Sequence, residues 1–311
     1  MYFKKIKLKN YRNFSDLSIE FDPNLNIFIG NNAQGKTNLL EGINFIVKGS
    51  SYRTKEDKEV INWNNKSAYL FGEVNKDDEN IQVALALEKK SENFYKNKLI
   101  KIIKINQNIQ KKKREQLIIW DPRLIERGSF LILTRIKFIK KINCLAHKFH
   151  QKITKEKENI ILTYQSNILK NQEESISSIN KKFKDKLEEY IEKEIEQRAT
   201  LLGPHRDDFS VYINGFNVAS YGSQGQQRTA ILSLKLSELE LIKEKEGVYP
   251  IFFLDDVMSE LDEDRRHFLL GLIIDKKVQT FITSINLDYF NSGIKVKSRI
   301  FKIEEGKVIN L

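Results

Sequence analysis

The sequence predicts an α/β fold: a head built on a parallel sheet, interrupted by an inserted, mostly helical second lobe. Three observations predict it. Residues 26–29 form a short apolar strand that runs straight into Gly30, and residues 37–47 then carry helical spacing. From residue 111 to about 198 glycine nearly vanishes, and Ile179, Phe183, Leu187, Ile191 and Ile195 recur every four residues among Lys and Glu. From residue 201 the α/β pattern returns, with apolar strands at 251–254 and 278–283. The head is therefore assigned to 1–105 and 201–311, and the lobe to 106–200.

The elements follow in order. Residues 1–8 alternate apolar and basic positions, with Tyr2, Phe3, Ile6 and Leu8 amid lysines, as a strand does. A second strand is expected over 17–21, and further ones at 69–74, 81–88 and 99–105. Within the lobe, 160–164 has strand character. Beyond it come a strand at 209–213, a helix over 223–244, a helix over 263–274 and a last hairpin turning at Glu305 and Gly306. The heptads of the lobe are too broken, and the lobe too short, for a long coiled-coil arm.

Composition narrows the classes. The 311 residues carry a formal charge of +11, which favours a polyanionic partner such as nucleic acid. The single cysteine, Cys144, leaves no disulfide framework within one chain and suits a reducing cytoplasm. Residues 1–14 have no apolar core of the secretory kind, and no run approaches the roughly 18 apolar residues of a membrane span. Cytoplasmic placement is expected. Cys144, His147 and His150 share a helix face but lack a fourth ligand for a metal. Residues 91–120 hold eight basic and two acidic side chains, and Lys111, Lys112, Lys113 and Arg114 in it are candidates for a DNA-contacting loop.

The chemistry lies in four separated motifs. Gly30, Asn31, Asn32, Ala33, Gln34, Gly35, Lys36 and Thr37 match the phosphate-binding loop, with Asn38 following. Its backbone N–H groups and the helix start behind it attract phosphates. Lys36 can reach the β/γ oxygens, and the Thr37 hydroxyl can ligand Mg²⁺. Asp255 and Asp256 end an apolar strand, at the edge of an open α/β sheet where ligands bind. Asp255 is expected to hold Mg²⁺ and Asp256 to polarise the attacking water. Ser223, Gly225 and Gln226 open a helix, Ser223 as its N-cap, and this start is an anion site in need of an anion. The P-loop already serves its own chain, so the expected anion is the γ-phosphate held by a second copy. Ser259, Glu260, Leu261 and Asp262 follow at the spacing of the turn that crosses the interface of ABC-type heads. These motifs predict an ATP-dependent homodimer. Thr283 and Ser284 stand where many such heads keep a histidine near the γ-phosphate. A hydroxyl cannot take the charge a histidine can, so slow hydrolysis is expected.

At this level the sequence resembles the RecF family, bacterial recombination mediator ATPases related to the SMC heads. The resemblance rests on Asn10, Tyr11, Arg12, Asn13 and Phe14; on the P-loop through Glu41; and on Ser51, Tyr52, Arg53 and Thr54. It continues in Gly203, Pro204, His205, Arg206, Asp207 and Asp208, in Tyr221 to Arg228, and in Leu254 to Asp262. It implies ATP and Mg²⁺ as cofactors, sequence-independent DNA binding, slow ATP hydrolysis in a head-to-head dimer, and RecR and RecO as partners in recombinational repair. It also implies that Arg12 contacts a nucleotide phosphate. One departure stands out: family members run about fifty residues longer, and the missing stretch falls in the helical lobe. The ATPase subunit of a membrane transporter is the alternative, but such heads carry a Leu-Ser-Gly-Gly-Gln signature and a switch histidine, and this chain has neither. An SMC-like structural or anti-phage ATPase is a third reading, against which the absence of long heptads counts.

Overall fold

The computed structural model describes residues 1–76, 79–89, 109–169, 175–197 and 199–310, with no side-chain description for 76, 109–120 and 310. The chain runs β1 (Tyr2–Tyr11), β2 (Phe14–Glu20), β3 (Leu25–Ile29), α1 (Lys36–Lys48), β4 (Ser67–Lys76) and β5 (Glu79–Glu88). It continues with α2 (Ile109–Thr154), β6 (Ile160–Gln165), α3 (Ile176–Gln197), β7 (Asp208–Ile213), β8 (Phe216–Asn217), α4 (Val218–Tyr221) and α5 (Gln224–Glu246). It ends with β9 (Phe252–Leu254), α6 (Glu263–Asp275), β10 (Thr280–Ser284), α7 (Ser292–Val296), β11 (Ser298–Glu304) and β12 (Lys307–Asn310). The strand expected at 99–105 lies outside the described residues.

Two compact units divide the chain, Met1–Tyr95 with Leu239–Leu311, and Lys96–Glu238. The sequence reading returned the chain to the head at 201; the structure groups residues up to Glu238 with the lobe. The reason is strand pairing: β7 pairs antiparallel with β6, in register from Ile160–Ile213 to Gln165–Asp208, and β8 adds to β7. Sequence periodicity identifies β7 as a strand but does not say which strand it joins.

The first unit stacks two sheets. One is antiparallel, in the order β2-β1-β4-β5, and the other runs β12-β11-β3-β10-β9. In the second, β3 is parallel to both β10 and β11, and β9 is parallel to β10. Strand β1 buries Phe3, Ile6, Leu8 and Tyr11, a spacing that strict alternation does not allow. A register shift between Phe3 and Lys5 and the left-handed Asn10 supply the two missing offsets. Phe281 of β10 is fully buried against Phe21 edge-on at 4.9 Å and against Phe253 stacked at 5.6 Å.

Buried Gln279 stitches the two sheets. Its Oε1 accepts the Phe3 N–H at 2.6 Å, and its Nε2 donates to Phe3 O at 2.8 Å and Asp22 O at 2.9 Å. A buried backbone group left unpaired costs about 1–3 kcal/mol.

The second unit packs α2 against α3 around Ile132, Ile136, Ile179, Phe183, Leu187 and Leu202. A Cβ at Gly128 would lie 2.5 Å from Phe183 Cε1, so this helix contact needs glycine. The Gly203 to Asp208 string is a structural turn in this unit. Arg135 donates to Pro204 O, and Asp207 accepts from Tyr164 Oη at 2.5 Å and from the Asn167 N–H at 3.0 Å. Burial and the Asp207 contact push the Tyr164 phenol well above its ordinary pKa. Lys111, Lys112, Lys113 and Arg114 fall in the helical backbone of α2 rather than in a loop. Their side chains lie outside the described residues.

Replacing Gln279 with leucine removes its side-chain hydrogen bonds at nearly constant volume. The urea transition of the head should weaken by about 2–4 kcal/mol, since the buried N–H and carbonyl of Phe3 lose this partner, while Asp22 O keeps Asn26 Nδ2 at 2.8 Å. A change under about 0.5 kcal/mol, within the range of ordinary surface substitutions, would remove Gln279 from this role.

Candidate nucleotide site

The C-terminal ends of β3, β10 and β9 lie side by side, and the loops leaving them meet in a cleft of about 330 Å³. Asn32, Ala33, Gly35, Lys36, Thr37, Asn38, Arg53, Asp255, Asp256 and Thr283 line it. The P-loop begins at Gly30, whose N–H donates to Ser284 O at 3.3 Å. A Cβ here would sit 2.3 Å from Ile303 O, so only glycine lets the loop pass so close to β11. The hairpin between β11 and β12 braces the loop: Gln34 Oε1 accepts the Glu305 N–H at 2.6 Å, and Gln34 O accepts the Gly306 N–H at 3.3 Å. Asn13 joins in, its Nδ2 donating to Gln34 O at 2.9 Å and its Oδ1 accepting from Asn38 Nδ2 at 2.9 Å. The Gln34 side chain thus holds the loop from behind.

Lys36 is 7% exposed and folds across its own loop, donating to Gly30 O at 2.7 Å and Asn31 O at 2.8 Å. Burial lowers its pKa, with Asp256 and Asp255 opposing. Asp255 Oδ1 accepts from Thr37 Oγ1 at 3.1 Å and from Thr283 Oγ1 at 2.7 Å. The Asp256 N–H donates to the same Thr283 hydroxyl at 2.8 Å. Asp256 itself takes a left-handed φ of 53° and keeps a buried Oδ1 that has no hydrogen-bond partner. Backbone strain and an orphaned carboxylate oxygen at one residue are features of functional sites. Thr37, Asp255 and Asp256 make a set of oxygen donors of the kind a hard cation takes.

Two expected residues sit differently. Ser284 is fully buried, and its hydroxyl donates to Asn286 O at 3.0 Å; Thr283 faces the cleft instead, because neighbouring strand residues point to opposite faces. Arg12 is committed to Glu41, Nε to Oε2 at 2.9 Å and Nη2 to Oε1 at 2.7 Å, with Nη1 on Glu59 O at 2.9 Å. The hydrogen bonds to Glu41 raise the Arg12 pKa against the effect of burial. Burial pushes the Glu41 carboxyl up, yet hydrogen bonds from Arg12 and Ser51 and the charges of Arg12 and Arg53 hold it below its ordinary value. Arg53 is the arginine lining the cleft, and its Nη1 donates to Asn38 Oδ1 at 2.8 Å. Its motif stood out in the sequence, but no spacing rule assigns it to a P-loop.

A second cleft, about 410 Å³, shares Asn38 with the first and is lined by Arg12, Asn13, Glu59, Asn62 and Trp63 among others. Trp63 is 93% exposed. Lys89 Nζ holds its backbone, donating to the carbonyls of Asn62 and Trp63 at 3.2 Å. A lone tryptophan in a polar turn carries no periodic signal, so sequence reasoning passed over it.

Asp262 caps α6, its Oδ1 accepting the Arg265 N–H at 2.9 Å. In the second unit, Ser223 caps α5 as expected and does so reciprocally. Its Oγ accepts the Gln226 N–H at 3.2 Å, and its own N–H donates to Gln226 Oε1 at 3.0 Å. Ser223 is exposed and Gly225 half-buried. Both ends of the Gln226 amide are engaged, the Nε2 with Glu158 at 2.9 Å. His150 is wholly buried and faces Ser233 and Glu158, so the Cys144, His147 and His150 face does not converge on a metal. Among the described residues no helix is long and apolar enough to cross a membrane.

The model of the RecF/RecN/SMC N-terminal domain matches residues 2–308. The DNA replication and repair protein RecF of Alkaliphilus oremlandii is 37% identical over 370 positions, covering 99% of this chain and 100% of that protein. RecF of Clostridium tetani is 37% identical over 368, with the same coverage. The 370 aligned positions against 311 residues mean that at least 59 positions of the first relative face no residue here. A solved structure of the recombination mediator protein RecF with ATP, from the RecFOR pathway, superposes with a TM-score of 0.81 at 28% identity, covering 100% of this chain and 99% of that one. An Smc head bound to the C-terminal winged-helix domain of ScpA matches at 0.57 and 13% identity, a likeness of fold alone. With a family model over nearly its whole length and full-length relatives at 37% identity, this chain belongs to the RecF family.

Proposed function

We propose that the protein is an ATP-gated DNA clamp that hydrolyses ATP slowly. The observation that carries this is the cleft in which Lys36 and Thr37 face Asp255 and Asp256. There Lys36 and the loop amides would take the β/γ-phosphates, Lys36 exchanging two backbone carbonyls for phosphate oxygens. Thr37 and Asp255 would hold Mg²⁺, which supplies charge neutralisation for the phosphates when bound. Asp256, whose buried Oδ1 has no hydrogen-bond partner, would orient the attacking water. Thr283 is the neutral group at the position of a switch histidine, which supports a slow chemical step. Arg53 is the cation positioned for phosphate, while Arg12 shapes the wall through Glu41. The exposed face of Trp63 offers a platform for the adenine ring. Ser223 and Gly225 of a second copy would meet the γ-phosphate and close the dimer. DNA, with RecR and RecO, completes the reading by family likeness.

ATP titration and sedimentation test the site together. Lys36→Ala should cost about 3 kcal/mol of ATP affinity, roughly a hundredfold, through lost charged hydrogen bonds. Trp63→Ala should weaken ATP roughly tenfold, since stacking of a base on an aromatic ring is worth about 1–3 kcal/mol. Ser223→Arg should bind ATP as wild type yet fail to dimerise with a slowly hydrolysed analogue. Dimerisation of that variant at the wild-type level would remove the in-trans role.

Asp256→Asn should keep ATP and Mg²⁺ through Thr37 and Asp255 but lose water activation. The ATP dimer should then persist on size exclusion for far longer than that of wild type, with phosphate release near background. Undiminished turnover by this variant would take Asp256 out of the chemistry.

DNA affinity should be independent of sequence, raised by ATP and steeply dependent on salt. Six to ten phosphate contacts would lose about 10³–10⁵ in affinity between roughly 50 and 200 mM salt. Neutralising Lys111, Lys112, Lys113 and Arg114 together should flatten that slope and leave DNA-free ATP turnover unchanged. An affinity indifferent to ATP at low salt would defeat the clamp.

A further inference from the structure

We infer that Glu158 is a positioning residue for the signature turn, acting through Gln226 as one link of a polar clasp. The inference rests on the in-trans role of Ser223 proposed above. The clasp begins at the first turn of α5. Gln226 Oε1 accepts the Ser223 N–H at 3.0 Å, and Gln226 Nε2 donates to Glu158 Oε1 at 2.9 Å. An N–H on one side and a carboxylate on the other admit one orientation of the amide, so the two bonds select each other. The second Glu158 oxygen lies 3.1 Å from Nε2 of His150, which is 0% exposed on α2. The other ring nitrogen of His150 lies 3.1 Å from Ser233 Oγ, back on α5. The ring of contacts therefore grips α5 at two heights and ties both to α2.

Glu158 is itself fixed. It lies between the end of α2 and the start of β6. Its neighbour Asn159 exchanges hydrogen bonds with Asn214, the Asn159 N–H to Asn214 Oδ1 and the Asn214 N–H to Asn159 O, each at 2.9 Å. Ser233 donates its one hydroxyl hydrogen to Thr229 O at 2.8 Å. The His150 imidazole stands between the Ser233 hydroxyl and the Glu158 carboxylate, 3.1 Å from each. A polar network of this kind rigidifies what it touches when every member is satisfied. What it touches is the turn that presents Ser223 and Gly225.

The consequence concerns dimerisation and leaves nucleotide binding alone. The P-loop, Asp255 and Asp256 belong to the other compact unit, so monomer ATP affinity should not change when Glu158 does. Without Glu158 the Gln226 amide is free to rotate away, and the Ser223 N–H loses its acceptor. The signature turn is then one of several conformers, and the competent fraction scales the apparent dimer affinity.

The test is a four-variant series in the full chain, read by sedimentation with a slowly hydrolysed ATP analogue and by ATP titration. Glu158→Ala should weaken ATP-driven dimerisation about tenfold with monomer ATP affinity unchanged, a competent fraction of about one in three in each of the two protomers. Glu158→Gln should restore most of it, because its amide oxygen can accept from Gln226. Gln226→Ala should weaken dimerisation as Glu158→Ala does, and the double variant should be no weaker than Gln226→Ala alone. Additive losses, or wild-type dimerisation by Glu158→Ala, would overturn the inference. Should Glu158→Ala prove too unstable to purify, the inference stands or falls on Glu158→Gln, which must dimerise within about threefold of wild type. Ser223→Arg separates the two levels. If it dimerises normally, the in-trans reading fails; if it does not while Glu158→Ala does, only the clasp fails.

Discussion

One carboxylate oxygen holds the nucleotide cleft together. Asp255 Oδ1 takes a hydrogen bond from Thr37 at the start of α1 and another from Thr283 at the end of β10, while Asp255 follows β9. Three elements far apart in sequence are registered at that atom. The arrangement works because β3, β10 and β9 are parallel neighbours, so their C-terminal ends open on one edge of the sheet. Thr283 adds the second constraint by accepting the Asp256 N–H, which helps hold that residue in its left-handed conformation with one oxygen unpaired.

The same economy governs the cations. Lys36 is buried, its pKa lowered, and it rests on the carbonyls of its own loop. A lysine so placed is pre-positioned and poorly solvated, which strengthens its attraction for an incoming anion. Arg12 and Arg53 share Glu41, a carboxylate with a fully buried side chain, at 2.7 Å and 3.6 Å. Glu41 therefore orients the loop around Ser51 and Arg53 from beneath, and the cleft wall is an ion-pair network anchored in the core.

In the second unit, α2 and α3 close a core of their own around Phe183. The Gly203 to Asp208 string contributes to that closure through Arg135, Tyr164 and Asn167. The capping box at Ser223 is closed by Gln226, whose amide is held in turn by Glu158.

Much of this was legible without coordinates. The P-loop, the acidic strand end and the N-cap at Ser223 are local patterns: a strand–loop–helix switch, an apolar run ending in acids, a serine before a helix. Chain-local physics determines such features, so the sequence alone determined the head class and most of the cleft. It also determined the likeness to the RecF family. Tertiary structure decided the rest. It placed 201–238 with the lobe because β7 found β6, turned Thr283 and not Ser284 into the cleft because strand residues alternate, and closed Arg12 onto Glu41. It brought Trp63 beside Asn38 and linked Gln226 to His150 through Glu158. Each of these is a choice of partner among residues distant in sequence, and a single sequence carries no record of which distant groups meet.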